Sequence, residues 1–147
     1  MTQTSTRDGE IKDSTMADGG CRRRVLVAED DVLLAETVDD FLREEGFCVL
    51  ISSDGKIALQ VANERHFDAL LTDLRMPNLD GATLIRRLRA ERPELPVIVM
   101  SGYAPPDWQT TLQQEGEGPL ILLNKPVRMN HLARALREVL DPPAASQ

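Results

Sequence analysis

The chain is poor in cysteine, histidine and positive charge, and these shortages narrow the classes of function. Lys and Arg number 17 against 24 Asp and Glu, a formal net charge of -7, which excludes a general phosphate-backbone binder. The two cysteines, Cys21 and Cys48, have neither CxxC spacing nor His neighbours, so no soft-metal site or disulfide framework is expected, and Cys48 reads as a core residue. No apolar run approaches the roughly 18 residues of a membrane span. Residues 1–20 show neither an apolar core nor an Arg-rich amphipathic pattern, so a cytoplasmic protein with no membrane insertion is expected.

What remains is one domain's length, 147 residues with 41% hydrophobic content, enough to bury a core. Residues 1–22, rich in Thr, Ser, Asp and Gly, predict a disordered arm. Residues 23–141 form the folded domain, and 142–147 a short tail, with no output domain expected after it.

Short apolar runs alternate with helical periodicity through that domain. Strands are expected at Arg24–Ala28, Phe47–Ser52, Ala69–Asp73, Pro96–Met100 and Pro119–Leu123, their continuous apolarity marking burial on both faces. Helices are expected from Val32 to Glu45, closed by Gly46, from Lys56 to Glu64, from Gly81 to Glu91, and from Met129 to Leu140. A weaker one, Asp107–Gln114, has only Trp108 and Leu112 as an apolar face, and Gly116 and Gly118 follow it. Five strands alternating with five helices predict an α/β fold, a parallel sheet with helices on both faces. Ligands of such sheets bind beyond the carboxyl ends of the strands.

The polar residues at those ends are Glu29 and Asp30, then Asp73, then Ser101, then Lys125. Taken singly, Asp73 reads as a metal ligand, a nucleophile or a helix cap, Ser101 as a turn residue and Lys125 as a solvated charge. Taken together they describe a phosphate site. Two carboxylates about 4 Å apart repel by roughly 4 kcal/mol at an effective dielectric of about 20, so the rim calls for a proton or a cation. All-oxygen donors select Mg²⁺ or a similar ion. An aspartate can carry a phosphoryl group as an acyl phosphate, with Lys125 and the Ser101 hydroxyl as its partners.

The segments Val25-Leu26-Val27-Ala28-Glu29-Asp30-Asp31, Leu71-Thr72-Asp73-Leu74-Arg75-Met76-Pro77-Asn78-Leu79-Asp80-Gly81, Val99-Met100-Ser101-Gly102 and Asn124-Lys125-Pro126 occur in this order. Over about residues 23 to 140 the chain thereby resembles a response-regulator receiver domain of bacterial two-component signalling, of the stand-alone, chemotaxis-regulator-like kind. The resemblance implies a flavodoxin-like doubly wound sheet of order 2-1-3-4-5. It implies that Asp73 is the phosphoacceptor, supplied by a sensor histidine kinase or a histidine phosphotransfer protein. It also implies that Glu29, Asp30, Asp73 and the backbone carbonyl of Arg75 hold Mg²⁺ (or Mn²⁺), that Ser101 and Lys125 bind the phosphoryl group, and that Lys125-Pro126 is cis.

One position departs from the family: the aromatic switch residue is often found three places before the lysine, where this chain has Leu122. Arg75 and Tyr103 are the expected lifetime-tuning residues, and Trp108 and Leu112 the expected partner face. The expected function is a phosphorylation-activated regulator that contacts an unknown target protein, binds no DNA directly and catalyses only its own Mg²⁺-dependent phosphorylation and dephosphorylation. A phosphorelay intermediate or phosphate sink is the near alternative. An Asp-nucleophile phosphatase is more distant, because Glu29-Asp30-Asp31-Val32 is not its DxD pair. A flavodoxin-like cofactor binder lacks its phosphate loop after the first strand.

Overall fold

The computed structural model describes residues 11–13, 23–103, 106, 107, 110 and 116–141. In chain order the elements are β1 (Ile11–Asp13), β2 (Arg24–Ala28), α1 (Val32–Glu44), β3 (Cys48–Ser52), α2 (Gly55–Glu64), β4 (Ala69–Asp73), α3 (Gly81–Glu91), β5 (Val97–Ser101), β6 (Leu120–Asn124) and α4 (Met129–Leu140). The sheet order is β1-β3-β2-β4-β5-β6. Leaving out β1, the strands are parallel and run 2-1-3-4-5, as the resemblance implied.

Why the strands are apolar throughout follows from their two neighbours. Side chains alternate faces along a strand. Val25, Val27, Val49, Ile51, Leu71 and Met100 point to one face, against Val38 and Leu42 of α1 and Leu132 and Leu136 of α4. Leu26, Ala28, Leu50, Leu70, Val97 and Val99 point to the other, against Val61 of α2 and Leu84, Ile85 and Leu88 of α3. Each leucine so enclosed contributes about 1.5–3 kcal/mol. Helix ends follow local chemistry: Asp31, Asp54 and Asp80 cap α1, α2 and α3. Gly46, at φ 99°, ends α1 with its N–H on Arg43 O and the Phe47 N–H on Leu42 O, a Schellman closure.

Three differences from expectation stand out. Ile11–Asp13, within the arm expected to be disordered, pairs antiparallel with β3, Ile11 opposite Ser52 and Asp13 opposite Leu50. Backbone pairing to a sheet edge needs no hydrophobic pattern, so none announced it. The described residues hold four helices rather than five; the expected Asp107–Gln114 helix falls largely outside them. Cys48 is buried as expected but disulfide-bonded, which corrects the reading of unlinked cysteines.

Candidate functional site

Two strands deliver the acidic rim. β2 ends at Ala28 and places Glu29 behind it, with the Glu29 N–H bonded to Ser52 O of β3 at 3.1 Å. Glu29 is 1% exposed and Asp73, the last residue of β4, 6% exposed, whereas Asp30 faces solvent. Glu29, Asp30 and Asp73 each bring a carboxylate oxygen within 4.8 Å of the others. The cluster is an acidic pocket of hard oxygen donors, and its donor set suits a small divalent cation.

Lys125, on the turn after β6, enters this pocket from the far side. Its ammonium donates to Asp73 Oδ2 at 2.7 Å and to Glu29 Oε1 at 3.1 Å. Desolvation lowers the Lys125 pKa, but the bonds to Asp73 and Glu29 and their charges outweigh it, and the net shift is upward. Burial pushes the Glu29 carboxyl above the ordinary range; the Asp31 N–H and Lys125 pull the other way without cancelling it, and the Asp73 charge adds to the rise. One ammonium faces three carboxylates in this pocket.

The loop after β4 is shaped around Asp73. The Arg75 N–H donates to Asp73 Oδ1 at 3.1 Å, and the Gly81 N–H to Leu74 O at 2.9 Å. A Cβ on Gly81 would stand 2.0 Å from the Asp73 carbonyl oxygen, so only glycine lets α3 start this close to the acidic strand end. Ser101 ends β5, is 2% exposed, and its hydroxyl accepts the Tyr103 N–H at 3.1 Å. The Lys125 N–H bonds Ser101 O at 2.8 Å, which ties the hydroxyl strand to the lysine turn, and the Lys125-Pro126 bond is cis.

The sequence-predicted residues thus separate into groups. Glu29, Asp30, Asp73 and Lys125 come together, and Ser101 lies on the neighbouring strand end. The Arg75 and Tyr103 side chains are exposed, Tyr103 at 67%. Leu122, opposite Val99 in the sheet, packs with the α2–α3 core. Trp108 and Leu112 lie outside the described residues. Asp31, quoted in the sequence only as part of the acidic run, makes contacts on both sides: its carboxylate caps α1 through the Leu33 and Leu34 N–H groups, and its own N–H donates to Glu29 Oε2 at 2.9 Å. Its signal was an Asp directly before a helical stripe.

Comparison with known proteins places this geometry. Residues 25–137 match the family model described as Response regulator receiver domain. A response regulator receiver protein of Anaeromyxobacter sp. (strain Fw109-5) is 38% identical over 105 residues, 71% of this chain and 43% of that protein. The transcriptional regulatory protein ZraR of Escherichia coli O157:H7 is 31% identical over 116 residues, 79% of this chain and 26% of that protein. The chain therefore spans about a quarter to under half of these relatives' lengths.

Among solved structures, the receiver domain of sensor histidine kinase PA1611 from Pseudomonas aeruginosa PAO1, described with a magnesium ion coordinated in its active site cleft, superposes with TM-score 0.69 at 28% identity, over 80% of this chain and 97% of that one. A CheY-like receiver from Methanospirillum hungatei JF-1 gives TM-score 0.75 at 25% identity, over 85% and 98%. With fold, strand-end chemistry and sequence agreeing over most of its length, the chain belongs to the response regulator receiver domain family.

Proposed function

We propose that this receiver accepts a phosphoryl group on Asp73 from a phosphohistidine of a sensor histidine kinase or a histidine phosphotransfer protein, and signals through contact with a target protein. The observation that carries the reading is the Lys125 ammonium held between Asp73 Oδ2 and Glu29 Oε1 at 2.7 and 3.1 Å. A fixed cation beside a buried carboxylate has the geometry needed to receive the oxygens of an incoming phosphoryl group.

In the transfer, an Asp73 oxygen bonds to phosphorus as the phosphorus–nitrogen bond breaks, its electron pair staying with the imidazole nitrogen. Lys125 then pairs with a phosphoryl oxygen. The Ser101 hydroxyl, which accepts from the Tyr103 N–H, keeps its own proton to donate to another. Mg²⁺ (or Mn²⁺), held by Glu29, Asp30, Asp73 and the Arg75 carbonyl, would supply the positive charge that lets a phosphate approach three carboxylates. Beyond its own phosphorylation and dephosphorylation the domain is proposed to turn over no substrate.

The test is incubation with a small phosphodonor and Mg²⁺. Wild type should take up hydroxylamine-labile label and Asp73→Asn none. Equal labelling of the variant, or label that resists hydroxylamine, would sink the proposal.

A further inference from the structure

The turn between β3 and α2 touches the loop after Asp73 at two adjacent points outside the carboxylate cluster. Asp54 is 8% exposed, and its Oδ1 accepts the Ile57 N–H at 2.8 Å, capping α2. Its Oδ2 accepts from Asn78 Nδ2, also at 2.8 Å. Next to it, Gly55 lies so close to the loop that a Cβ there would stand 2.0 Å from the Leu79 carbonyl oxygen. Asn78 has φ of 69°, a left-handed conformation that a side chain adopts at low cost only when it is Asn or Asp.

We propose that Asp54 and Asn78 are a positioning pair that sets the cation affinity of the site, by holding the loop from Arg75 to Leu79 in the shape that turns the Arg75 carbonyl to the ion. The inference rests on the proposed cation role of Glu29, Asp30, Asp73 and the Arg75 carbonyl. The loop is pinned at its start by the Arg75 N–H on Asp73 and at its end by the Gly81 N–H on Leu74 O. Between those pins, the Asn78–Asp54 bond is a charge-assisted tether at the apex. A neutral carbonyl contributes to a cation only through its orientation, so an untethered loop weakens the ion without removing any carboxylate. Asn78 and Asp54 are positioning residues; neither belongs to the carboxylate cluster.

The test is isothermal titration of the full chain with Mg²⁺, for wild type, Asp54→Asn, Asn78→Asp and the double variant. In Asp54→Asn the Asn78 amide turns over to accept from the new amide, leaving a neutral bond without charge assistance, and in Asn78→Asp two carboxylates face each other. Asp54→Asn should raise the Mg²⁺ dissociation constant about threefold and Asn78→Asp about tenfold, the latter on the scale of a lost hydrogen bond to a charged group. The double variant restores a donor facing an acceptor at unchanged net charge and should return the constant to the wild-type value.

Phosphodonor labelling should follow the same split: slower at limiting Mg²⁺, wild-type in rate at saturating Mg²⁺. A purely structural role would lower the unfolding midpoint of the Mg²⁺-free single variants and leave their Mg²⁺ constants alone. That result, or a double variant no better than the singles, overturns the inference. Wild type that binds no Mg²⁺ overturns the cation reading and this inference with it.

Discussion

The Lys125 ammonium lies 2.7 Å from Asp73 Oδ2 and 3.1 Å from Glu29 Oε1, bridging the two buried carboxylates. It occupies space and charge that a cation and a phosphoryl group would share, and this competition is directly measurable. Lys125→Met should tighten Mg²⁺ binding by about tenfold or more, since two positive charges about 4 Å apart repel by roughly 4 kcal/mol at an effective dielectric of about 20. The same variant should lose phosphodonor labelling. Titration calorimetry and labelling on one preparation check both, and a weaker Mg²⁺ constant would contradict the arrangement.

Burial raises the Glu29 carboxyl, so the folded chain holds that proton more tightly than the unfolded chain. Stability therefore falls as pH rises from the unfolded value of 4.5 through the raised folded value, and stays lowered above it. Glu29→Gln removes this loss. Without Mg²⁺ the variant should be more stable than wild type at pH 7, with the gap closing below pH 4.5, as denaturant titrations at the two pH values will show. Saturating Mg²⁺ should shrink or reverse the gap by stabilising only wild type.

Two glycines beside the site make opposite predictions. A Cβ on Gly81 meets the Asp73 carbonyl oxygen at 2.0 Å and the Leu74 Cα at 2.8 Å, backbone atoms with little room to yield. Gly81→Ala should cost about 3 kcal/mol of unfolding free energy. Gly102, beside Ser101, has nothing within 4 Å of its built Cβ, and Gly102→Ala should change stability by less than about 0.5 kcal/mol. Urea unfolding of the pair measures both.

The sheet and the rim were legible because the chain changes character abruptly where strands end. Val25-Leu26-Val27-Ala28 stops at Glu29, and Ala69-Leu70-Leu71-Thr72 at Asp73, so apolarity and chemistry share one boundary. What escaped was held by backbone carbonyls and by partners distant in sequence. Ile11–Asp13 joins the sheet by pairing its backbone with β3. Asp54 and Asn78 meet through a bond that crosses 24 positions.

Arg89 escaped for the same reason. It is fully buried one residue after Leu88, donating to Leu95 O at 2.8 Å and to Pro119 O at 2.9 Å, while its Nη1 finds no partner among the described residues. Desolvation lowers its pKa. By bridging the approach to β5 and the residue before β6, Arg89 ties two strands together at the end of the sheet remote from Asp73. Arg89→Ala should cost about 3 kcal/mol, because it leaves both carbonyls without this donor and opens a void. A loss under about 0.5 kcal/mol in the same urea assay would show the bridge to be idle.

The exposed Arg75 and Tyr103 side chains belong to the loops that follow Asp73 and Ser101. If they gate water at the acyl phosphate, replacing both with alanine should change the dephosphorylation rate several-fold at constant Mg²⁺. The decay of labelled protein after donor removal reads this, and an unchanged rate would rule the pair out as lifetime determinants.

Asp73 is the carboxyl proposed to carry the phosphoryl group. Borohydride reduces an acyl phosphate at its carbonyl carbon, so peptide mass spectrometry after phosphodonor, Mg²⁺ and borohydride locates the modified carboxyl directly. Reduction is expected at Asp73 alone, dependent on donor and Mg²⁺. Reduction at Glu29, Asp30 or any other carboxyl with Asp73 intact would contradict it.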